Sequence, residues 1–200
     1  MHIDYNDNIC VNCPFDDLYS PILRAIIFTI ISSGFYPRGA LEEDDASNIR
    51  IDKILQIVGE CKYGIHDISR TELDCITQLP RFNMPFELGI SYVAKKFGNK
   101  SNKSKVALVF EREKYSYQKF ISDINGSDLK AHKNDYKTVI IHVRNWLSTV
   151  SKRTTISGYK TIIKDYEDFI KKKFDQLCTE TGLNHNQITF NNFCLLVEES

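Results

Sequence analysis

Polar and charged side chains follow several predicted strands of this chain at the points where those strands end. Asp67 closes the strand-like segment 63–68, and Glu87 lies in the motif Asn83-Met-Pro-Phe-Glu-Leu-Gly89 at the start of a predicted helix. The other candidates of this kind are Asn12, Asp16, Arg38, His66, Ser69, Arg70, Arg81 and Asn83. Because ligands of open parallel sheets bind at the carboxyl ends of the strands, we expect these side chains to form one polar rim.

Glu87 has the sequence context of a carboxylate at the edge of a pocket. Pro85 is favourable in the first turn of a helix, so we predict a helix over 85–97 with Glu87 in its first turn. We expect Leu88, Ile90 and Val93 to face the core from this helix. A carboxylate so placed can orient a ribose, stabilise a developing oxocarbenium ion or act as a nucleophile. The alternative is a structural acid that interacts only with the helix dipole.

The neighbouring candidates have two interpretations each. Asp67 stands two residues before Ser69, so it either caps the next segment or binds sugar hydroxyls or a nucleobase. His66 is interpreted as a core histidine rather than a general base, because it alternates with Asp67 on the strand. The arginines Arg38, Arg50, Arg70 and Arg81 have the geometry to bind phosphates. Their alternative partner is the acidic run 42–45, and for Arg50 we favour that internal ion pair.

Strand and helix patterns alternate along most of the chain. Strands are predicted over 8–13, 35–41, 63–68, 105–110 and 128–132, and helices over 48–61, 85–97, 117–124 and 135–150. A further helix is expected to be capped by Asp16 or Asp17 and to stop near Gly34. This alternation predicts an α/β domain over 1–150 with a parallel sheet covered on both faces. A helical C-terminal extension over 151–200, with helices at 160–178 and 187–198, packs on the domain or binds another subunit.

Composition and charge limit the class of protein. The longest apolar stretch, 22–31, is interrupted by two polar residues and is far shorter than the roughly 20 residues that span a bilayer. We therefore expect a soluble, cytoplasmic protein with no membrane partner. Residues 1–60 carry four Lys or Arg against ten Asp or Glu, whereas residues 95–175 carry nineteen against nine. No stripe of alternating basic and aromatic residues accompanies the basic part, so nucleic acid is not an expected partner.

The six cysteines and the absent motifs exclude several chemistries. Cys10 and Cys13 have the spacing of a redox or zinc motif, but no second Cys or His pair completes a zinc site. The redox interpretation stays open as the weaker alternative, because the pair overlaps a predicted buried strand. We expect reduced thiols, most of them in the core. The chain has no phosphate-binding glycine motif, zinc-helix motif or serine elbow, and no metal site is predicted.

The order of these segments resembles the nucleoside 2-deoxyribosyltransferase and TIR-domain superfamily over about residues 8–150. The resemblance rests on the polar end of the first strand, the strand end Asp67-Ile-Ser69 and the helix start Phe86-Glu-Leu-Gly89. It implies a flavodoxin-like, doubly wound parallel sheet and cleavage of N-glycosidic bonds of nucleosides or NAD. It also implies that Glu87 is the catalytic glutamate and that Asp67 is the acid at the strand end. The nucleotide pocket would then be lined by Asn12, Phe15, Asp16, Arg38, Ser69, Arg81 and Asn83.

One departure from the transferase pattern refines this expectation. The Ser-Gly-Thr run that precedes the glutamate in many transferases is replaced here by Arg81-Phe-Asn-Met-Pro85. We therefore favour a TIR-like hydrolase of NAD or a related nucleotide, with the nucleotide as substrate and no other cofactor. By the same resemblance, a role in bacterial antiphage defence is implied. The alternative is a non-catalytic module that binds a nucleotide signal or another TIR-like surface. In either case we expect a homo-oligomer, or a partner protein bound through the C-terminal helices.

Overall fold

The sheet of this protein contains five parallel strands. In the computed structural model, which describes residues 4–43, 45, 47–73 and 78–200, the strand order is β2-β1-β3-β4-β5. The strands are β1 (Asn8–Asn12), β2 (Tyr36–Arg38), β3 (Tyr63–Asp67), β4 (Val106–Glu111) and β5 (Lys130–Ala131). The prediction of an α/β chain with a parallel sheet is therefore confirmed. Cys75 and Asp44, which entered the predictions, lie outside the described residues.

The register of the strands brings their carboxyl ends to one edge of the sheet. Asn12 of β1 is aligned with His66 of β3, and Asp67 of β3 is aligned with Phe110 of β4. On the next strand pair, Glu111 is aligned with Ala131. Residues at the ends of β1, β3, β4 and β5 are thus neighbours across the sheet, as a parallel arrangement requires.

The helices of the chain bury apolar faces at helical spacing. They are α1 (Ser20–Ser32), α2 (Arg50–Glu60), α3 (Asn83–Phe97), α4 (Tyr136–Ser151), α5 (Tyr159–Phe169), α6 (Asp175–Thr181) and α7 (Phe190–Glu198). A π-helical turn, Ile170–Phe174, joins α5 to α6. In α2, for example, the buried residues are Ile54, Ile57 and Val58, three or four positions apart. None of the described helices is both long enough and apolar enough to cross a membrane.

The first of two compact units consists of residues 1–14, 38–40 and 45–134. One of its apolar clusters contains Ile68, Met84, Leu88, Val109, Tyr117 and Leu129. A second cluster joins Cys10 of β1 to three residues of α2 and to the residue that follows the helix: Ile54, Ile57, Val58 and Cys61. These clusters fix α2 and α3 on the strands of this unit, and so they fix the position of Glu87.

The second unit consists of residues 15–37, 41–44 and 135–200 and has an aromatic core. Phe169 is at the centre of this core, with ring centroids 5.3 Å from Phe28, 6.5 Å from Phe174 and 5.7 Å from Phe193. The C-terminal helices therefore share one core with α1 and α4. The expected boundary near residue 150 does not coincide with this division, because α5 to α7 bury their apolar faces within the unit that contains α1 and α4.

Several element ends differ from the predictions for local reasons. Helix α1 begins at Ser20, because Asp16 accepts the Tyr19 N–H at 3.0 Å in a separate turn and caps no helix. Helix α3 begins at Asn83, two residues before Pro85, which still lies among the first four residues whose N–H groups have no helical partner. The prediction that Glu87 lies in the first turn is therefore wrong, and Glu87 lies in the second turn. The predicted helix over 117–124 is instead two short 3-10 turns.

Candidate functional site

Asn12 connects the ends of two strands to the start of α3. Its Nδ2 donates to the carbonyl of Met84 at 3.0 Å and lies 3.2 Å from Nδ1 of His66. Asn12 is only 4% exposed, so both amide hydrogens are used inside the protein. Asn12 was predicted to line the pocket. In the structure its side chain is buried beneath the surface, where its bond to Met84 positions the first turn of the helix that carries Glu87.

His66 is a buried, neutral histidine. Burial and, to a smaller extent, the positive charge of Lys105 lower its pKa to about 4. Because Nδ1 accepts the hydrogen bond from Asn12, the proton of the neutral ring is on Nε2. The ring packs so closely on Gly64 that a Cβ there would lie 2.6 Å from Nε2. These contacts confirm the interpretation of His66 as a core residue rather than a general base.

Asp67 is fully buried and faces a second histidine. Its Oδ1 accepts the Ser69 N–H at 2.8 Å, and its Oδ2 lies 3.1 Å from Nε2 of His132. Nδ1 of His132 accepts the Asn134 N–H at 3.0 Å, which fixes the ring beside Asp67. Both side chains are 0% exposed. Asp67 therefore caps the following turn and connects the ends of β3 and β5, and no atom of its carboxylate is exposed for contact with a sugar hydroxyl or a nucleobase.

Glu87 is the one predicted carboxylate of this rim whose oxygens keep their hydrogen-bonding capacity. It is 8% exposed, and burial raises its pKa, while the positive charge of Arg50 lowers it. Among the residues that the structure describes, none donates a hydrogen bond to the Glu87 carboxylate. A nearly buried carboxylate without donors is costly, and it accepts a hydrogen bond or a positive charge from a ligand readily.

The remaining predicted residues of this unit differ in burial. Arg38 forms an ion pair of 3.1 Å with Glu60 at the end of α2, so its partner is internal. Ser69 is buried and uses its N–H in the contact with Asp67. Arg81 and Asn83 are exposed at the start of α3. Arg50 is also exposed and forms no ion pair with a described residue of its unit, so its pairing with the acidic run 42–45 stays a prediction.

Phe15 and Asp16 belong to the second unit, where both line a cavity together with residues of α1 and α7. Their predicted role in the nucleotide pocket came from the resemblance alone. Within the unit that contains Glu87, the structure brings together Asn12, Asp67, Ser69 and the start of α3, and it does not add Phe15 or Asp16 to them.

Three rim residues were missed by the sequence analysis. His132 is the partner of Asp67, and Glu111 is a buried carboxylate at the end of β4. Glu111 accepts hydrogen bonds from the Tyr115 N–H at 2.8 Å, the Ser116 hydroxyl at 3.0 Å and the Tyr117 N–H at 3.1 Å. A charged residue directly after the apolar run 106–110 is the same signal that identified Asp67, so Glu111 was detectable. The sequence around His132 gave no indication that this residue pairs with Asp67. The third residue, Tyr115, is identified by its unusual backbone conformation.

The loops after β4 and β5 contain strained backbone. Tyr115 has a φ of +66°, and Lys133 and Asn134 have φ values of +51° and +57°. A bulky residue rarely adopts this region without compensation, and such strain is concentrated at functional sites. Glu111 supplies the compensation for Tyr115, whose aromatic side chain is 56% exposed on the loop that follows the carboxyl end of β4. The rim thus presents the exposed aromatic ring of Tyr115 in addition to Glu87.

The cysteine pair does not form an accessible redox or metal site. Cys10 is 8% exposed and Cys13 is 1% exposed, and neither is in a disulfide. Thiol exchange requires an accessible thiolate, which these positions do not provide. Among the residues that the structure describes, no group of three or more His, Cys, Asp or Glu side chains is arranged to hold a metal ion.

Comparison with known proteins adds no family to this description. No protein-family model matches the chain, and no curated protein sequence matches it.

Proposed function

We propose that the first unit is a TIR-like N-glycosidase that cleaves NAD or a related nucleotide. The observation that carries the proposal is the carboxylate of Glu87, which is almost buried, has no described donor and lies on α3 beside the carboxyl ends of β1 and β3. The strand order 2-1-3-4-5 is that of doubly wound, flavodoxin-like sheets, whose ligands bind at this edge. The order supports the fold that the resemblance implies.

In the proposed reaction the bond between C1′ of the ribose and the base nitrogen breaks, and its electron pair leaves with the base. The positive charge that develops on the ribose is stabilised by ionised Glu87, whose effect is large because water is excluded around it. A water molecule then adds to C1′ and releases a proton. The free oxygens of Glu87 accept hydrogen bonds from ribose hydroxyls before and during this step.

Other residues of the rim have supporting roles in this proposal. Arg81 and Asn83 are exposed at the N-terminal end of α3, where donors and the helix dipole favour phosphate. Tyr115 offers an aromatic face for the base, and three hydrogen bonds to Glu111 fix the backbone of the loop that carries it. Asp67 and His132 are positioning residues, because both are buried and join the strand ends beneath the rim.

The test is release of nicotinamide from NAD by the purified chain, measured by chromatography. Glu87→Gln keeps the size of the side chain and removes its charge, so we expect a loss of at least about 100-fold, the usual effect of removing one such electrostatic group. The matched control is Glu113→Gln, which neutralises an exposed acid of the same unit. The control is expected to retain full activity.

A second candidate is a non-catalytic module that binds a nucleotide signal and assembles with copies of itself. It is favoured by an exposed apolar stripe along α3, formed by Phe82 at 64%, Phe86 at 60%, Val93 at 58% and Phe97 at 78% exposure. Contiguous apolar surface of this kind is typical of interaction sites. Saturable NAD binding without any product, together with a dimer that Phe86→Ser dissociates, would select this candidate over the glycosidase. Both candidates are compatible with the role in antiphage defence that the resemblance implies.

A further inference from the structure

The second unit contains a cavity of about 130 Å³ that the proposed nucleotide chemistry does not use. Its walls come from the turn before α1, the first turns of α1 and the chain from 185 to the start of α7. Arg24 supplies a positive charge, Asp16 and Asp17 supply negative charges, and Leu23, Phe190 and Phe193 supply apolar surface. An apolar cavity of about 150 Å³ accommodates benzene, whereas nucleotide-sized ligands need roughly 300 Å³ or more. The cavity therefore fits an organic molecule of about six to eight non-hydrogen atoms.

Arg24 is fixed in this cavity with part of its hydrogen-bonding capacity unused. Its Nη2 donates to the Ser20 hydroxyl at 3.1 Å, the His185 carbonyl at 3.0 Å and Oδ1 of Asn186 at 3.3 Å. The guanidinium carbon lies 5.0 Å from the centre of the Phe174 ring. Nε and Nη1 donate to none of the residues that the structure describes. A partly buried guanidinium held on one side and free on the others forms strong hydrogen bonds to an anionic oxygen.

Asp17 is the opposite charge of the same cavity. Its side chain is exposed, and among the described residues no donor bonds to its carboxylate. It interacts electrostatically with Arg24, but the two groups form no ion pair within 4 Å of each other. A positive and a negative group that line one small cavity without neutralising each other are complementary to a ligand with both charges.

We propose that this cavity binds a small zwitterion, an α-amino acid with a short aliphatic side chain such as alanine or valine. The carboxylate of the ligand accepts hydrogen bonds from Arg24, its ammonium group lies toward Asp17, and its side chain contacts Leu23 and Phe190. A simple carboxylate is a poorer ligand because Asp16 and Asp17 repel it, and a simple amine is a poorer ligand because it leaves the free N–H groups of Arg24 without an acceptor. The inference does not depend on the proposed glycosidase activity, since all of these residues belong to the second unit.

The experiment is isothermal titration of the full chain with three probes that share one branched aliphatic chain. L-Valine carries both charges, isovalerate lacks the ammonium group and isobutylamine lacks the carboxylate. We expect saturable binding of one valine per chain, with affinities for the other two probes lower by about tenfold or more. Binding of isovalerate as tight as that of valine would overturn the zwitterion assignment, and the absence of valine binding at millimolar concentration would overturn the site.

Variants of the full chain locate the site. Arg24→Met keeps the apolar stem and is expected to weaken valine binding at least tenfold, while Asp17→Asn is expected to reduce the preference for valine over isovalerate. Lys164→Gln, which removes an exposed charge of α5, is the matched control and is expected to bind as wild type. Arg24 also holds the chain at 185–186, so a second variant protects the test against unfolding. Leu41→Trp adds bulk at a half-exposed wall position and removes no hydrogen bond. Unchanged valine binding by Leu41→Trp and Asp17→Asn contradicts the proposal.

Discussion

At the scale of single residues, the burial of His66 couples folding to pH. The folded-state pKa of about 4 lies below the ordinary value of 6.5, so the unfolded chain takes up a proton first as the pH falls. The stability that the neutral ring contributes is complete above pH 6.5 and is lost progressively as the pH falls to about 4. The full effect is about 3 kcal/mol.

This pH dependence is measured by urea unfolding between pH 4 and pH 7.5, followed by a probe in the first unit. In His66→Gln we expect a less stable chain whose unfolding free energy changes much less over the same interval. His185→Gln is the control, because His185 is 44% exposed and forms its contact with Asp175 near the surface. If the unfolding free energy of His66→Gln changed with pH as steeply as that of wild type, the assignment of the pH dependence to this ring would be contradicted.

A second prediction at this scale concerns the charge state of Glu87. Burial raises the pKa of Glu87 and Arg50 opposes this shift, so Arg50→Gln is expected to raise that pKa further. Since ionised Glu87 is the active form in the proposed reaction, the acidic limb of the pH–rate profile should move to higher pH. A carboxyl-carbon NMR titration of Glu87 reports the same change without turnover. Lys95→Gln, on the helix that carries Glu87, should change neither the pH–rate profile nor the NMR titration of Glu87.

At the scale of elements, Gly64 is required on β3 by the ring of His66. A Cβ at this position would lie 2.6 Å from Nε2 of His66, so Gly64→Ala forces the ring or the strand to move. We expect a loss of about 1 to 3 kcal/mol in the free energy of unfolding. At Gly59, near the end of α2, a methyl group would meet no atom within 4 Å. Gly59→Ala should therefore stabilise the chain by about 0.5 to 1 kcal/mol through helix propensity. Equal effects of the two substitutions, measured by urea unfolding, would contradict this account of Gly64.

The core of the second unit gives another prediction at the scale of elements. Phe169 is 5% exposed and contacts three other aromatic rings from α1, the π-helical turn and α7. Phe169→Ala is expected to cost about 3 to 5 kcal/mol, the usual effect of removing a buried phenylalanine. Tyr159→Ala, at the half-exposed start of the same helix, should cost less than about 1 kcal/mol. The unfolding free energies of the two variants are measured by circular dichroism during denaturant titration.

The order of elements could be predicted from the sequence because each strand and helix has its own apolar period. The run 106–110 and the spacing of Ile54, Ile57 and Val58 are local patterns that tertiary contacts did not alter. Element ends were less predictable. The turn that Asp16 forms with Tyr19 delays α1, and the start of α3 before Pro85 depends on Asn12 bonding to Met84, a contact between distant segments.

The candidate site was predictable only in part, because it too depends on contacts between residues that are distant in sequence. Glu87 was located by its place after Pro85, and the missing donors around it are visible only in three dimensions. The contact between Asp67 and His132 joins strands that are 65 positions apart in sequence, so Asp67 had two equal interpretations until its partner was known. Burial of both side chains then favours the role of a cap and strand anchor.

At the scale of the whole molecule, the chain combines two compact units with different chemistry. The first unit holds the polar rim with Glu87, and the second holds the aromatic core and the small cavity with Arg24. The C-terminal helices, expected to form an interaction surface, bury their apolar faces in the second unit. An exposed apolar stripe lies instead along α3 of the first unit.

The proposed action of Glu87 on an N-glycosidic bond is tested by nicotinamide release, with stability measured on the same samples. We predict that wild type and Glu113→Gln release nicotinamide from NAD, whereas Glu87→Gln releases at least about 100-fold less. At neutral pH, Glu87→Gln should be at least as resistant to heat as wild type, because it buries a neutral amide in place of a carboxylate without donors. Equal release by wild type and a folded Glu87→Gln variant would contradict the account.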